Sequence, residues 1–276
     1  MRRLPLLIAL LGLVAASCSS AATFPNDAFA VAASSDIAVG SNRLLVGVAQ
    51  AEGTRLGSPD ERVSLRITPS DAPDETTTYP AEFVWIVPDA SGLYAAIVDI
   101  DRPGVWSVEV IPESGGTVET AAFQAAAESA TPRVGTAAIA VQTPTTDDHA
   151  IEEITTDPAP EPALYTTSLD AAVVSGTPTV VAFATPAFCQ TAACGPMLET
   201  VKDAVVDHPD VHFIHVEAYE GFTDPGFVPD GAHLAPAVIE WQLPSEPWVF
   251  VVDGDGVITH KFEGALGADE LAAALG

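Results

Sequence analysis

Two different hydrophobic patterns, separated by an acidic, proline-rich stretch, limit what this chain can become. From Ser35 to about Ala127 the apolar residues come in short runs divided by turn residues. In Val63-Ser64-Leu65-Arg66-Ile67 and Trp106-Ser107-Val108-Glu109-Val110 they alternate with polar ones, the pattern of a strand with one face in a core and one in water. From Leu164 the pattern changes. Thr179 to Ala184 and Trp248 to Val252 are continuous apolar runs, as expected of strands covered on both faces. Between the two regions, Thr131 to Pro162 is rich in Pro, Thr, Ala, Asp and Glu, and Asp157-Pro158-Ala159-Pro160-Glu161-Pro162 reads as a stiff linker. With 276 residues, two domains joined by a linker at 129–163 are expected.

The first domain, 35–128, contains seven strand-like runs: Ile37 to Val39, Arg43 to Ala49, Val63 to Thr68, Ala81 to Val87, Leu93 to Ile100, Val105 to Ile111 and Val118 to Phe123. Turn residues such as Pro59-Asp60, Ser91-Gly92 and Ser114-Gly115-Gly116 divide them. This spacing predicts an all-β, immunoglobulin-like sandwich. Gly92-Leu93-Tyr94 followed by Pro103-Gly104-Val105-Trp106 resembles the last hairpin of β-sandwich modules in bacterial envelope proteins. Tyr94 and Trp106 are read as core anchors. The region holds no cysteine and no histidine, so it is read as a spacer or protein-contact module.

Met1-Arg2-Arg3, the 13-residue apolar run Leu4 to Ala16, and Ala15-Ala16-Ser17-Cys18 have the form of a secretory signal. The run is too short to span a bilayer. A cysteine directly after small residues resembles the bacterial lipoprotein box. That resemblance implies a signal peptide at 1–17, lipidation of Cys18, a tether at 18–34 and an exported chain held on the extracytoplasmic face of the membrane. A net charge of −28 repels nucleic acid and anionic lipid headgroups, so neither is an expected partner.

If Cys18 carries lipid, two thiols remain, Cys189 and Cys194. They follow a strand, in Phe188-Cys189-Gln190-Thr191-Ala192-Ala193-Cys194-Gly195-Pro196, and precede the helical pattern Met197 to Asp207. A helix N-terminus favours negative charge and so favours the reactive thiolate. Exported proteins meet oxidising conditions in which disulfides persist, and a bridge over so short a loop removes less unfolded-state entropy than a long-range one. Residues five apart on an unbroken helix have Cα atoms about 8 Å apart, beyond the roughly 4.4–6.8 Å of a disulfide. A bond therefore requires Cys189 to lie on the loop or the first turn to unwind.

The remaining elements are expected as short helices at Ser168 to Ser175 and Leu234 to Leu243, strands at Val211 to Val216 and Val257 to Phe262, and a closing helix at Ala268 to Leu275. This order, with cysteines after the first strand and Glu246-Pro247-Trp248 before the third, resembles the thioredoxin family over 164–276. The resemblance implies an α/β thioredoxin-like fold, a cis proline at Pro247 beside the active disulfide, Cys189 as nucleophile and Cys194 as resolving thiol. The function it implies is thiol–disulfide exchange with thiol- or disulfide-containing envelope proteins, without a cofactor. The C-x4-C spacing departs from the family's C-x-x-C, and an alternative alignment sets Cys194-Gly195-Pro196-Met197 on the family's C-G-P-C.

The same spacing is similar to peroxiredoxins related to bacterioferritin comigratory protein. No arginine follows Arg133, so the cation needed at the peroxide oxygens is missing. Exported copper-binding proteins of the Sco type are a further comparison, with Cys189, Cys194, Met197, His215 and His233 as candidate ligands; their C-x-x-x-C spacing is absent. His212 and His215 face opposite sides of a strand and cannot chelate one ion together. Tyr219, Phe222 and Phe227 are candidates for an apolar lip at the sheet edge where the cysteines lie. A non-catalytic binding module with a structural disulfide is the remaining alternative.

Overall fold

The computed structural model describes residues 24–276. The expected signal peptide and Cys18 lie outside the described residues, as does the start of the tether. The end of that tether is strand: β1 (Phe29–Ala32) pairs antiparallel with β2 (Gly40–Ala49). Then follow β3 (Arg55–Leu56), β4 (Val63–Pro69), β5 (Thr77–Val87), β6 (Ser91–Ile100), β7 (Gly104–Pro112) and β8 (Ala121–Ala125).

These eight strands form one antiparallel sheet in the order β1-β2-β6-β5-β4-β7-β8, with β3 on β2. The sheet curls until its two ends meet, where the Ala30 amide donates to the Glu119 carbonyl at 2.8 Å. The result is a nearly closed, barrel-like sheet, which corrects the immunoglobulin-like sandwich expected at 35–128. The cause lies in β5. Thr77 to Ala81 pair with β4, whereas Glu82 to Val87 pair with β6. One long strand changes partner midway, so no gap separates two sheets. Consecutive β6 and β7 do not pair with each other, so no last hairpin forms there. Leu44, Val46, Leu65, Ile67, Val98, Val108 and Val110 fill the core together with Tyr94 and Trp106. Gly92 admits no side chain, because a Cβ there would lie 2.2 Å from Cζ of Phe83.

The C-terminal unit contains α1 (Ile151–Ile154), α2 (Leu169–Ala172), β9 (Thr179–Ala184), α3 (Cys194–Asp207), β10 (His212–Glu217), α4 (Pro236–Glu240), β11 (Trp248–Val252), β12 (Ile258–Glu263) and α5 (Ala268–Leu275). Its sheet has the order β10-β9-β11-β12; only β10 and β9 are parallel. The α/β thioredoxin-like fold expected here is corrected: the molecule is mostly β, with only 15% helix and a small second sheet. An unbroken apolar run reports burial on both faces, not strand direction, and the burial is real. Every residue of β9 is buried. Val180, Ala182 and Ala184 face Met197, Leu198 and Val201 of α3, while Val181 and Phe183 face Trp241, Trp248 and Phe250. The helices expected at Ser168 to Ser175 and Leu234 to Leu243 shrink to four and five residues. Pro236 suits the first turn of α4, and Gln242, in the left-handed region at φ 52°, stops it.

The expected linker 129–163 is packed against this unit. Ala137 bridges to Val257, Trp241 Nε1 donates to the Ile139 carbonyl at 3.0 Å, and Ile154 enters the core. Thr143, Thr145, Thr155 and Asp157 are buried. A threonine-rich, acidic composition reads as solvated because the partners that satisfy these hydroxyls are distant in sequence.

The two units share an interface. Arg43 of β2 forms a bidentate pair with Glu270 at 2.8 Å and donates to the carbonyls of Glu263 and Ala265. Asp36 accepts from Ser129, Thr131 and Lys261. Burial opposes ionisation of Asp36, but these donors and the Ala130 amide bring its pKa down to about 2. Beside them, Leu45, Val84, Ile86 and Ala95 of the barrel pack against Ala193 and Ala265.

Candidate functional site

At the end of β9, Thr185-Pro186-Ala187-Phe188 leads to Cys189, and Gln190 to Ala193 lead on to α3, whose first residue is Cys194. Pro196 falls in the first turn, where the missing N–H has no helical acceptor to lose. Cys189 thus lies on the loop, and its sulfur is bonded to Cys194 with the Cα atoms 6.0 Å apart. The loop is tightly held, with Ala192 in the left-handed region at φ 60°, a conformation unfavourable for a residue with a Cβ.

The two sulfurs have unequal surroundings. Cys194 is fully buried among Met197, Leu198 and Val249, whereas Cys189 is partly exposed. Cys189 Sγ accepts the backbone N–H of Cys194 at 3.3 Å and lies 3.5 Å from Thr191 Oγ1. Both contacts, with the helix end behind them, suit negative charge on Cys189 once the bond opens.

Pro247 follows a cis peptide bond, is buried, and its carbonyl accepts the Gly264 amide at 2.9 Å. The two residues before it, Ser245 and Glu246, reach the surface beside Thr191. Two clefts meet there. One, of about 320 Å³, runs between the units along Leu45, Ile86 and Leu93; the other, of about 440 Å³, runs along Gln190, Tyr219 and Asp230.

Phe188 packs on Phe227 and Tyr219, with ring centroids at 5.1 and 6.2 Å. Two of the three aromatics expected as a lip therefore support the cysteine loop from within. Phe222 does not stack on these rings; it lines a further cleft with His149, Glu217 and Tyr219.

The candidate copper ligands are not brought together. Met197 is core, and half-buried His233 pairs with Asp230 at 2.9 Å. His215 accepts from the Tyr165 hydroxyl through Nδ1 at 2.9 Å and donates through Nε2 to the Ala184 carbonyl at 3.2 Å. Among the described residues no group of three or more His, Cys, Asp or Glu is placed to hold a metal ion.

Burial pushes the His215 pKa down to about 4, against a partial rise from the Ala184 carbonyl. The folded state thus prefers neutral His215, and the stabilisation is complete above the ordinary histidine value near 6.5. It is lost as pH falls from there through 4, by about 3 kcal/mol at about 1.4 kcal/mol per unit. Unfolding free energies measured at pH 7 and pH 4 should fall by about 3 kcal/mol more in the wild type than in His215→Asn. The buried carboxyls Glu217 and Glu263, raised mainly by burial, favour the opposite trend, but they are common to both proteins and cancel. Equal losses would show that His215 is not held neutral.

Sequence reasoning missed the polar support beneath the loop. Glu217, at the end of β10, accepts from Thr156 through N–H and Oγ1, both at 2.8 Å, and Thr156 Oγ1 in turn accepts the Ala187 amide at 3.1 Å. A carboxylate closing the apolar run His212 to Glu217 was a visible signal. Thr156, inside the apparent linker, offered none. No protein-family description, curated protein or solved structure matches this chain.

Proposed function

We propose that Cys189 and Cys194 are a reversible redox pair that exchanges disulfides with polypeptide partners. The carrying observation is the asymmetry of the bond: one sulfur partly exposed beside two hydrogen-bond donors, the other sealed in the core at the start of α3. A bridge over this short loop is worth about 2 kcal/mol on chain-entropy grounds, against nearly 5 for a loop of about 100 residues. Stability alone is thus a modest reason to keep it.

In the oxidising direction, a partner thiolate attacks Cys189 Sγ and Cys194 leaves as thiolate, giving a mixed disulfide. The partner's second thiolate then displaces Cys189. The partner dithiol is oxidised to a disulfide, the protein disulfide is reduced to two thiols, and two protons pass from one dithiol to the other. The reverse sequence reduces a partner disulfide.

The charged start, short apolar run and Cys18 support an exported, lipid-anchored setting facing outside the cytoplasm, with envelope proteins as partners. The strongly acidic surface argues against nucleic acid.

Equilibration of the pair in glutathione buffers, with an insulin-reduction assay, tests the proposal. The expected result is a reduction potential above about −300 mV, the region below which structural disulfides fall, together with catalysed insulin reduction. A potential below that value with no catalysis would establish a structural bridge and overturn the reading.

A further inference from the structure

Thr191, Ser245 and Glu246 line both clefts, so the clefts form one trough past the disulfide. A polypeptide bonded to Cys189 must leave the sulfur close to Thr191. Extended chain advances about 3.3 Å per residue, which brings the one or two residues on either side of the exchanging cysteine into the two clefts.

The walls differ in chemistry. On the barrel side the surface is aliphatic, and Gly47 leaves its floor open beneath Leu93: a Cβ at Gly47 would lie 2.9 Å from Leu93 Cδ2. Arg55 stands on this wall and disfavours a cation there. Where the clefts join, Glu246 is half-buried and has no ion-pair partner among the described residues. The neighbouring carboxylate, Glu263, is already engaged by the Ser35 amide and the Ser245 hydroxyl. A partly desolvated, unpaired carboxyl is complementary to a cation, and the net charge of −28 draws basic segments in at low salt.

We infer that the trough receives a polypeptide segment that sets a basic side chain against Glu246 and an aliphatic one against Val31 and Leu93, the accessible aliphatic residues of the barrel wall. This rests on the exchange chemistry proposed above and assigns the barrel a role in substrate choice.

Three heptapeptides test it, each carrying a central cysteine as a mixed disulfide with thionitrobenzoate. Their flanking residues are Lys and Leu, Glu and Leu, or Lys and Ser. In the reduced protein, the Cys189 thiolate attacks the peptide sulfur and coloured thionitrobenzoate leaves; Cys194 then displaces the peptide thiol. The protein dithiol is oxidised and the mixed disulfide reduced to two thiols. The Lys/Leu peptide should react at least about tenfold faster than either other peptide, the scale of a single pocket contact. Glu246→Gln should shrink its advantage over Glu/Leu, and Leu93→Gln its advantage over Lys/Ser.

A second measurement does not need the sulfurs. The Lys/Leu peptide with serine in place of cysteine should bind the oxidised wild type, by fluorescence anisotropy, at least about tenfold tighter than the Glu/Leu and Lys/Ser counterparts. Equal affinities, or no binding, would overturn the trough. Peptide binding with that preference, combined with an inert disulfide, would uphold the trough and overturn the exchange function.

Discussion

Cys189→Ser is expected to end disulfide exchange, with a rate loss of at least about 1000-fold, while Cys194→Ser still attacks a partner and then stalls. The asymmetry follows from position. Cys189 is the sulfur that a partner can reach, and it carries the Cys194 amide N–H at 3.3 Å and Thr191 Oγ1 at 3.5 Å. Cys194 has no exposed surface and sits in the core with Met197 and Leu198. In the proposed exchange its part is the internal displacement that frees a partner from Cys189, and the closed disulfide shows that it can reach that sulfur. The Cys194→Ser protein should therefore accumulate a stable mixed disulfide, visible by mass spectrometry as the protein plus one partner or one glutathione. The Cys189→Ser protein should accumulate none while folded. Equal trapping by both variants, or trapping through Cys194 alone, would reverse the assigned roles.

Much of the local structure was legible, and the assembly was not. β9 at Thr179–Ala184, β11 at Trp248–Val252 and α5 at Ala268–Leu275 have the bounds that their apolar patterns predict. Core positions such as Tyr94 and Trp106 were also readable, since a large aromatic in an alternating run has few other places to go. Pairing was hidden. Nothing in Thr77 to Val87 announces that one strand serves β4 first and β6 afterwards, and that switch separates a barrel-like sheet from a sandwich. In the second unit the apolar runs reported burial correctly, but read together with the helical stretches between them, and with the family resemblance, they argued for an α/β sheet, and the mostly β structure overturned that. The stretch 129–163 failed for another reason: its buried threonines and Asp157 are satisfied by residues far away in sequence, such as Leu169, His215 and Lys202.

The site divides along the same line. The two cysteines and the short loop between them could be found from spacing alone, because so few arrangements place a strand, a thiol pair and a helix in that order. The contacts of Thr191 depend on the turn that the loop adopts. Glu246 gains meaning only once Ser245 and the barrel wall stand beside it. The barrel region, with no cysteine or histidine, read as a spacer or protein-contact module, and its Leu45, Ile86 and Leu93 line the cleft next to the disulfide.

Arg43→Ala should lower the unfolding free energy by about 3 kcal/mol, the cost of removing one partner of a buried ion pair. The Arg43 side chain is only 7% exposed, and Glu270, at 29%, is its one carboxylate partner among the described residues. The guanidinium also satisfies the Glu263 and Ala265 carbonyls and lies 5.6 Å from the Phe262 ring centroid. Glu270 in turn accepts the Gly267 amide at 3.0 Å at the start of α5. Truncation thus strands a partly buried carboxylate and two carbonyls at the junction between the barrel and the second sheet. Urea denaturation should show the midpoint falling and the transition broadening, because a tie that couples the two units is cut. Most of the cost is the stranded partner rather than the lost attraction, so Arg43→Met combined with Glu270→Leu should recover the greater part of it. A loss below about 1 kcal/mol in Arg43→Ala, within the range of a surface pair, would mean that the two units are held together mainly by their other contacts, the apolar packing of Leu45, Val84 and Ile86 on Ala193 and Ala265 and the Asp36–Lys261 pair.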